Sequence, residues 1–168
     1  MSGVIHFLYE WRATLIAAAG VTILGVAGMM LTPLDAWYYA LRKPSWQPPN
    51  WLFGPVWTII FILEAASAVI GWQASRSLSG EILLICAYVV NGLLNMLWSL
   101  LFFTLRRPDW ALIEVGFLWL SIVVMIAVLR DQAGLAWVFL VPYLLWVSFA
   151  AYLTRTIVRL NAPFEVLA

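Results

Sequence analysis

Residues 82–105 read ILLICAYVVNGLLNMLWSLLFFTL, a run without a single Asp, Glu, Lys or Arg. A charge at mid-bilayer costs about 2.5–3.5 kcal/mol on insertion scales, so a charge-free run of this length reads as a helix crossing the ~30 Å hydrocarbon core. Residues 13–34 and 132–154 are also charge-free. Segments 55–74 and 110–129 are as apolar, apart from Glu64 and Glu114. The predicted helices cover about 13–31, 55–74, 82–104, 110–129 and 135–158. Membrane β-strands would alternate in polarity, and these runs are continuous. The fold class is therefore an all-α integral membrane protein, a bundle of five transmembrane helices in one domain over residues 1–168.

Composition excludes the other classes. The chain is 65% hydrophobic and 10% charged, whereas a soluble domain carries about 25% charged residues. A net charge of +1 offers no field for nucleic acid. The single Cys86 permits no internal disulfide, and its apolar helix without a basic neighbour predicts an inert, buried thiol. His6, the only histidine, precedes the first span and reads as exposed or interfacial rather than as an axial haem ligand. Phosphate loops, serine motifs and carboxylate pairs at metal spacing are missing, so no metal site and no required cofactor are expected.

Short links, Ser75–Gly80, Leu105–Asp109 and Arg130–Gly134, force antiparallel neighbours. The first connection, 32–50, is the exception. Its Ala36-Trp37-Tyr38-Tyr39-Ala40-Leu41 suits a short interfacial helix, while Pro48-Pro49 belongs to a stiff extended arm, together a candidate lid. Arg12, Arg76 and Arg130 lie on one side; Arg42, Lys43, Arg106, Arg107, Arg155 and Arg159 lie on the other. The positive-inside rule puts the first loop and the C-terminus in the cytoplasm. Residues 1–10 lack the basic start of a cleavable leader.

Three helices carry unusual stripes. Trp57, Phe61 and Glu64 share one face of the second; Tyr88, Asn91, Asn95, Trp98 and Phe102 line the third; Tyr143, Trp146, Ala150 and Leu153 line the fifth. Rings broken by amides suit a cavity for a flat, mostly apolar ligand. The plainer reading is core packing, with Asn91 and Asn95 as interhelical hydrogen-bond glue. Trp11, Trp37, Trp72, Trp110 and Trp137 fit the interfacial aromatic belt. Glu64 should face the interior, carry a proton, or pair with Asn91 or Asn95, whereas Glu114, one turn into its helix, is easier to hydrate. Gly20, Gly25, Gly28 and Ser67-x-x-x-Gly71 read equally as intramolecular contacts or as a homodimer seam.

Eleven tryptophans, Lys43-Pro44-Ser45-Trp46-Gln47-Pro48-Pro49, Gly54-Pro55-Val56-Trp57, Asn91-x-x-x-Asn95-x-x-Trp98-Ser99 and Val141-Pro142-Tyr143-Leu144-Leu145-Trp146 together resemble the translocator protein family. This family is also called tryptophan-rich sensory protein or peripheral benzodiazepine receptor. The resemblance covers nearly the whole chain. It implies a homodimeric five-helix bundle that binds porphyrins, haem-like tetrapyrroles, benzodiazepine-type drugs and, in some members, sterols. It places Trp46 in the lid. Trp57, Phe61, Asn91, Asn95, Trp98, Tyr143, Trp146, Ala150 and Leu153 become the ligand walls. Trp57, assisted by Trp146, matches the tryptophan implicated in light-dependent porphyrin breakdown, which makes such an enzyme the alternative to a binding protein with a sensory, regulatory or transport-related role. A bacterial cell membrane is expected in preference to a mitochondrial outer membrane. Transport has less support, since neither a charged midplane relay nor a broken helix is evident. Departures are Thr154 where many members have Asn, Glu64 where an uncharged residue is usual, and a sterol pattern, Val147-x4-Tyr152-x2-Arg155, set about one turn early.

Overall fold

A computed structural model describes residues 2–164, with side chains from Trp11 onward. The readings of His6 and of residues 1–10 as leader-free lie outside the described side chains. Helix α1 covers Ser2–Leu31, α2 Ala36–Ala40, α3 Asn50–Ala74, α4 Leu78–Ser99, α5 Pro108–Gln132 and α6 Val141–Asn161. Among the described residues, five stretches are long and apolar enough to span a membrane: Trp11–Leu31, Asn50–Ala74, Leu78–Thr104, Pro108–Gln132 and Gly134–Asn161.

The boundaries differ from the sequence expectation for local reasons. Hydropathy marks only the apolar part of α1, but a helix runs on through polar residues. Helix α3 begins after Pro49 rather than at Pro55, which lies inside its second turn and gives up the one intrahelical hydrogen bond that residue 55 would make to the Trp51 carbonyl. Ser77 caps α4 by accepting the Gly80 N–H at 3.2 Å. Its far end widens into a π turn, Leu100–Thr104, where the Leu105 N–H reaches the Leu100 carbonyl at 2.8 Å. A 3-10 stretch, Gly134–Leu140, precedes α6, whose first turn holds Pro142. The links shrink to residues 75–77, 105–107 and Ala133, so neighbours run antiparallel.

Helix α5 forms the centre. Its Leu118, Ile122, Met125 and Leu129 are at most 2% exposed and pack with Leu140, Tyr143 and Val147. By contrast α1 leans on α3, α4 and the π turn, and none of its described side chains is buried. A Cβ at Gly71 would meet Leu129 Cδ2 at 2.6 Å, whereas one at Gly20, Gly25 or Gly28 would meet nothing within 4 Å. Gly71 thus marks an intramolecular contact, and the α1 glycines do not. Gly71→Val is expected to lower stability by about 1–3 kcal/mol through overpacking, while Gly25→Ala leaves it unchanged or higher; thermal unfolding in detergent checks both. Cys86 is exposed on the apolar outer surface, not buried, because its helix turns that face away from α5.

The first loop is tied down at one end of the bundle. Asp35 caps α2 by accepting the Tyr38 N–H at 3.1 Å and pairs with Arg106 at 2.7 Å. The Tyr38 hydroxyl donates to Asn50 Oδ1 at 2.9 Å, and Lys43 Nζ donates to the Tyr38 carbonyl. Asn161 of α6 exchanges two hydrogen bonds with the Arg42 backbone, both 2.8 Å. The Tyr38 amide first, and then Arg106, hold the Asp35 carboxyl below the usual carboxylate range. A lowered carboxyl stabilises above its unfolded pKa and loses that contribution as pH falls through its folded value. Loop proteolysis is therefore expected to rise only in strong acid, and Asp35→Asn to show the high rate at neutral pH.

Candidate functional site

Three helices meet through a directed hydrogen-bond chain. Asn95 Nδ2 donates to the Tyr143 hydroxyl at 3.1 Å, which donates to Asn91 Oδ1 at 3.2 Å. Asn91 Nδ2 donates to Ser121 Oγ at 2.8 Å, and Ser121 to the Leu118 carbonyl at 2.7 Å. Both amides are thus interhelical partners, joining α4 to α6 and α5. Tyr143 is 1% exposed, so Tyr143→Phe strands an amide oxygen and an amide hydrogen. We expect it to cost about 1–3 kcal/mol of stability, read as a lower midpoint of thermal unfolding.

Rings surround this chain. Trp57 packs on Phe61 at 5.4 Å and edge-on to Tyr143 at 5.9 Å between centroids. Trp146 meets Phe53 at 5.6 Å and Phe149 at 5.5 Å, and Trp98 stacks on Phe102 at 5.3 Å. Leu153 is buried with Phe102 and Ala111, and Ala150 is half-buried one turn from Trp146. Trp46 stands apart: 43% exposed, it stacks on Tyr152 at 5.2 Å along the outer flank of α6 and touches Phe149 edge-on.

Both acidic residues of the spans lie inside the bundle, which for Glu64 is one of the expected alternatives. Glu64 is 3% exposed, but its carboxyl pairs with neither Asn91 nor Asn95, which Tyr143 and Ser121 occupy. It borders a cavity between α1, α3 and α4 whose walls include neither Trp57 nor Phe61. Glu114 is buried too: at 5% exposure, both its oxygens lack a hydrogen-bond partner among the described residues. The Trp98 Nε1 is buried and unpaired as well. The Asn91–Ser121 bond fixes the register of antiparallel α4 and α5, which sets Trp98 level with Glu114. The Trp119–Ser148 bond, 2.9 Å, likewise sets Leu153 opposite Glu114. An unpaired donor and an unpaired acceptor therefore lie at one level among the rings.

Ser121, Phe53 and Phe149 escaped the sequence reading, and Glu114 was read as an acid near water rather than as part of the site. Phe53 precedes Trp57 by one turn and Phe149 follows Trp146 by one, so helical spacing carried a signal for both. Ser121 carried none, since its role depends on inter-helix register.

The TspO/MBR family model matches residues 13–160. The "Tryptophan-rich protein TspO" of Chlorobaculum tepidum is 43% identical over 143 residues, covering 82% of this chain and 88% of its own. The "Protein CrtK" of Rhodobacter capsulatus is 35% identical, covering 82% and 85%. The "Translocator protein" of Sus scrofa is 32% identical, covering 86% and 89%. Five apolar spans, the ring-and-amide centre and these matches along most of the chain lead to one assignment: this multi-pass membrane protein belongs to the TspO/MBR family.

Proposed function

We propose that the cluster of Trp57, Phe61, Asn91, Asn95, Trp98, Tyr143, Trp146, Ala150 and Leu153 binds a porphyrin or another flat lipophile, such as a benzodiazepine-type drug, in a membrane sensory or transport-related role. The observation that carries this reading is the level pair of unpaired polar groups, Trp98 Nε1 and the Glu114 carboxyl, inside a shell of aromatic rings. Rings supply stacking area for a planar ligand, and isolated donors and acceptors fix its orientation. The chain requires no cofactor in this reading; the tetrapyrrole is the ligand. Trp46 and the tied first loop cover the end of the bundle, and a homodimer in a bacterial cell membrane, first loop and C-terminus cytoplasmic, completes it. Supporting that orientation, Arg42, Lys43, Arg106 and Arg107 gather at the loop end with the end of α6.

A second reading, light- and oxygen-dependent porphyrin breakdown, is favoured by the edge-on contact of Trp57 with Tyr143. These two oxidisable rings adjoin at the centre of the site. Purified protein titrated with protoporphyrin in darkness and then illuminated in air separates the readings. Saturable tryptophan quenching in darkness supports binding, and its absence refutes it. A new absorbing product that needs intact protein supports the chemistry.

A further inference from the structure

The groove between α1, α3 and α4 takes no part in the reading above. It encloses about 370 Å³, within the range of small-ligand sites. Its walls are short or apolar: Ala17, Gly20 and Leu24 of α1, Ala65 and Ala68 of α3, Gly92 of α4. Space remains at Gly20, where a Cβ would meet nothing within 4 Å, whereas one at Gly92 would press on Leu24 Cδ2 at 3.1 Å, where α1 and α4 touch. Ile16, Ile23, Ile85 and Leu93 flank it and are exposed on the outer, lipid-facing surface. The groove therefore opens to the bilayer, at the helix with no buried side chain.

One carboxyl looks into this apolar space. Glu64 is 3% exposed and lines the groove. Its side chain has no hydrogen-bond partner among the described residues. The neighbouring Tyr88 hydroxyl is already engaged by Ser67 at 2.6 Å. Among the described residues neither Lys nor Arg lines the groove; the Arg12 guanidinium sits at its edge, 6.0 Å from the ring centroid of Trp72. An unpartnered carboxyl within a membrane span is costly and points to a missing donor. A hydroxyl satisfies it in either protonation state, whereas an ammonium ion requires the ionised form.

We propose that this groove is a second binding site, entered from the bilayer, for a lipophile with an apolar body and a single hydroxyl that donates to the Glu64 carboxyl. The site shares no wall with Trp57, Trp98, Tyr143 or Trp146, so it stands whether or not porphyrin binds.

The test uses the full chain in phosphatidylcholine nanodiscs, photolabelled with a long-chain alcohol bearing a mid-chain diazirine. The methyl ether of the same probe and the corresponding amine are the comparisons, with adducts mapped by mass spectrometry. We expect adducts on the α1 and α4 walls that excess unlabelled alcohol removes. The ether, and the alcohol on Glu64→Leu, should label about tenfold less, the effect of one lost hydrogen bond to a buried group. Glu64→Gln should keep most labelling, because the amide oxygen still accepts. Gly20→Leu should fill the groove and abolish labelling with Glu64 intact. Unchanged thermal midpoints and far-ultraviolet circular dichroism would show that these variants fold. Equal labelling by alcohol and ether, stronger labelling by the amine, or indifference to Glu64→Leu overturns the proposal. So does an unlabelled wild type whose α1 cross-links to a second copy, since the partner chain then covers the groove.

Discussion

Trp146→Ala is expected to weaken protoporphyrin binding by about 1–3 kcal/mol, the range for losing one aromatic stacking platform, or roughly ten- to a hundredfold in Kd. Trp146 joins Phe53 to Phe149, so its indole is the middle ring of three on the α6 side of the site. Truncation removes stacking area and leaves the flanking rings without support. Trp110→Ala is the matched control. That ring is 50% exposed and lies beneath the Arg107 guanidinium, 4.4 Å from its centroid, remote from the amide chain. Its Kd should stay within about twofold of wild type, the ordinary scatter for a distant surface change. Trp146→Phe, which keeps a ring, should fall between the two. Tryptophan quenching in darkness gives the three constants. Equal losses in Trp146→Ala and Trp110→Ala would report general loosening of the bundle rather than a ligand wall.

Trp57→Phe is expected to separate binding from chemistry. Phenylalanine retains most of the stacking area but gives up an electron far less readily than indole. Trp57 touches Phe61 on its own helix and Tyr143 across the bundle. The smaller ring keeps those neighbours, and the amide chain through Tyr143, Asn91 and Ser121 remains intact. Dark affinity should therefore change by only a few-fold. The yield of any light-driven product in air should drop to the level of protein-free porphyrin. Product formed at the wild-type rate by Trp57→Phe would remove Trp57 from the photochemistry and leave Tyr143 or Trp146 as the donor to test next.

The five spans were legible in the chain because the membrane acts on each residue almost independently. A charge in the hydrocarbon core is costly wherever it falls, so charge-free windows locate helices before any packing is known. Ring stripes were legible for a similar reason, since spacing along one helix fixes which residues share a face. Helix ends were less so: α1 runs outward through polar residues, and α3 starts ahead of Pro55, giving up one intrahelical hydrogen bond there.

What the tertiary structure alone decided is the pairing of the polar groups. Glu64 and Glu114 read alike as single carboxyls in apolar helices, and depth along the span suggested that Glu114 was the wetter one. Both turn out buried, Glu114 where α4 and α6 meet α5 in a register set by Asn91–Ser121 and Trp119–Ser148, and Glu64 beside a space that short residues on α1 and α3 leave open. Cys86 turned outward because its azimuth relative to α5, not its hydropathy, determines what covers it. A sequence specifies the free energy of placing each side chain in lipid. Which donor meets which acceptor depends on rotations and shifts between helices, and those are fixed only when the helices pack.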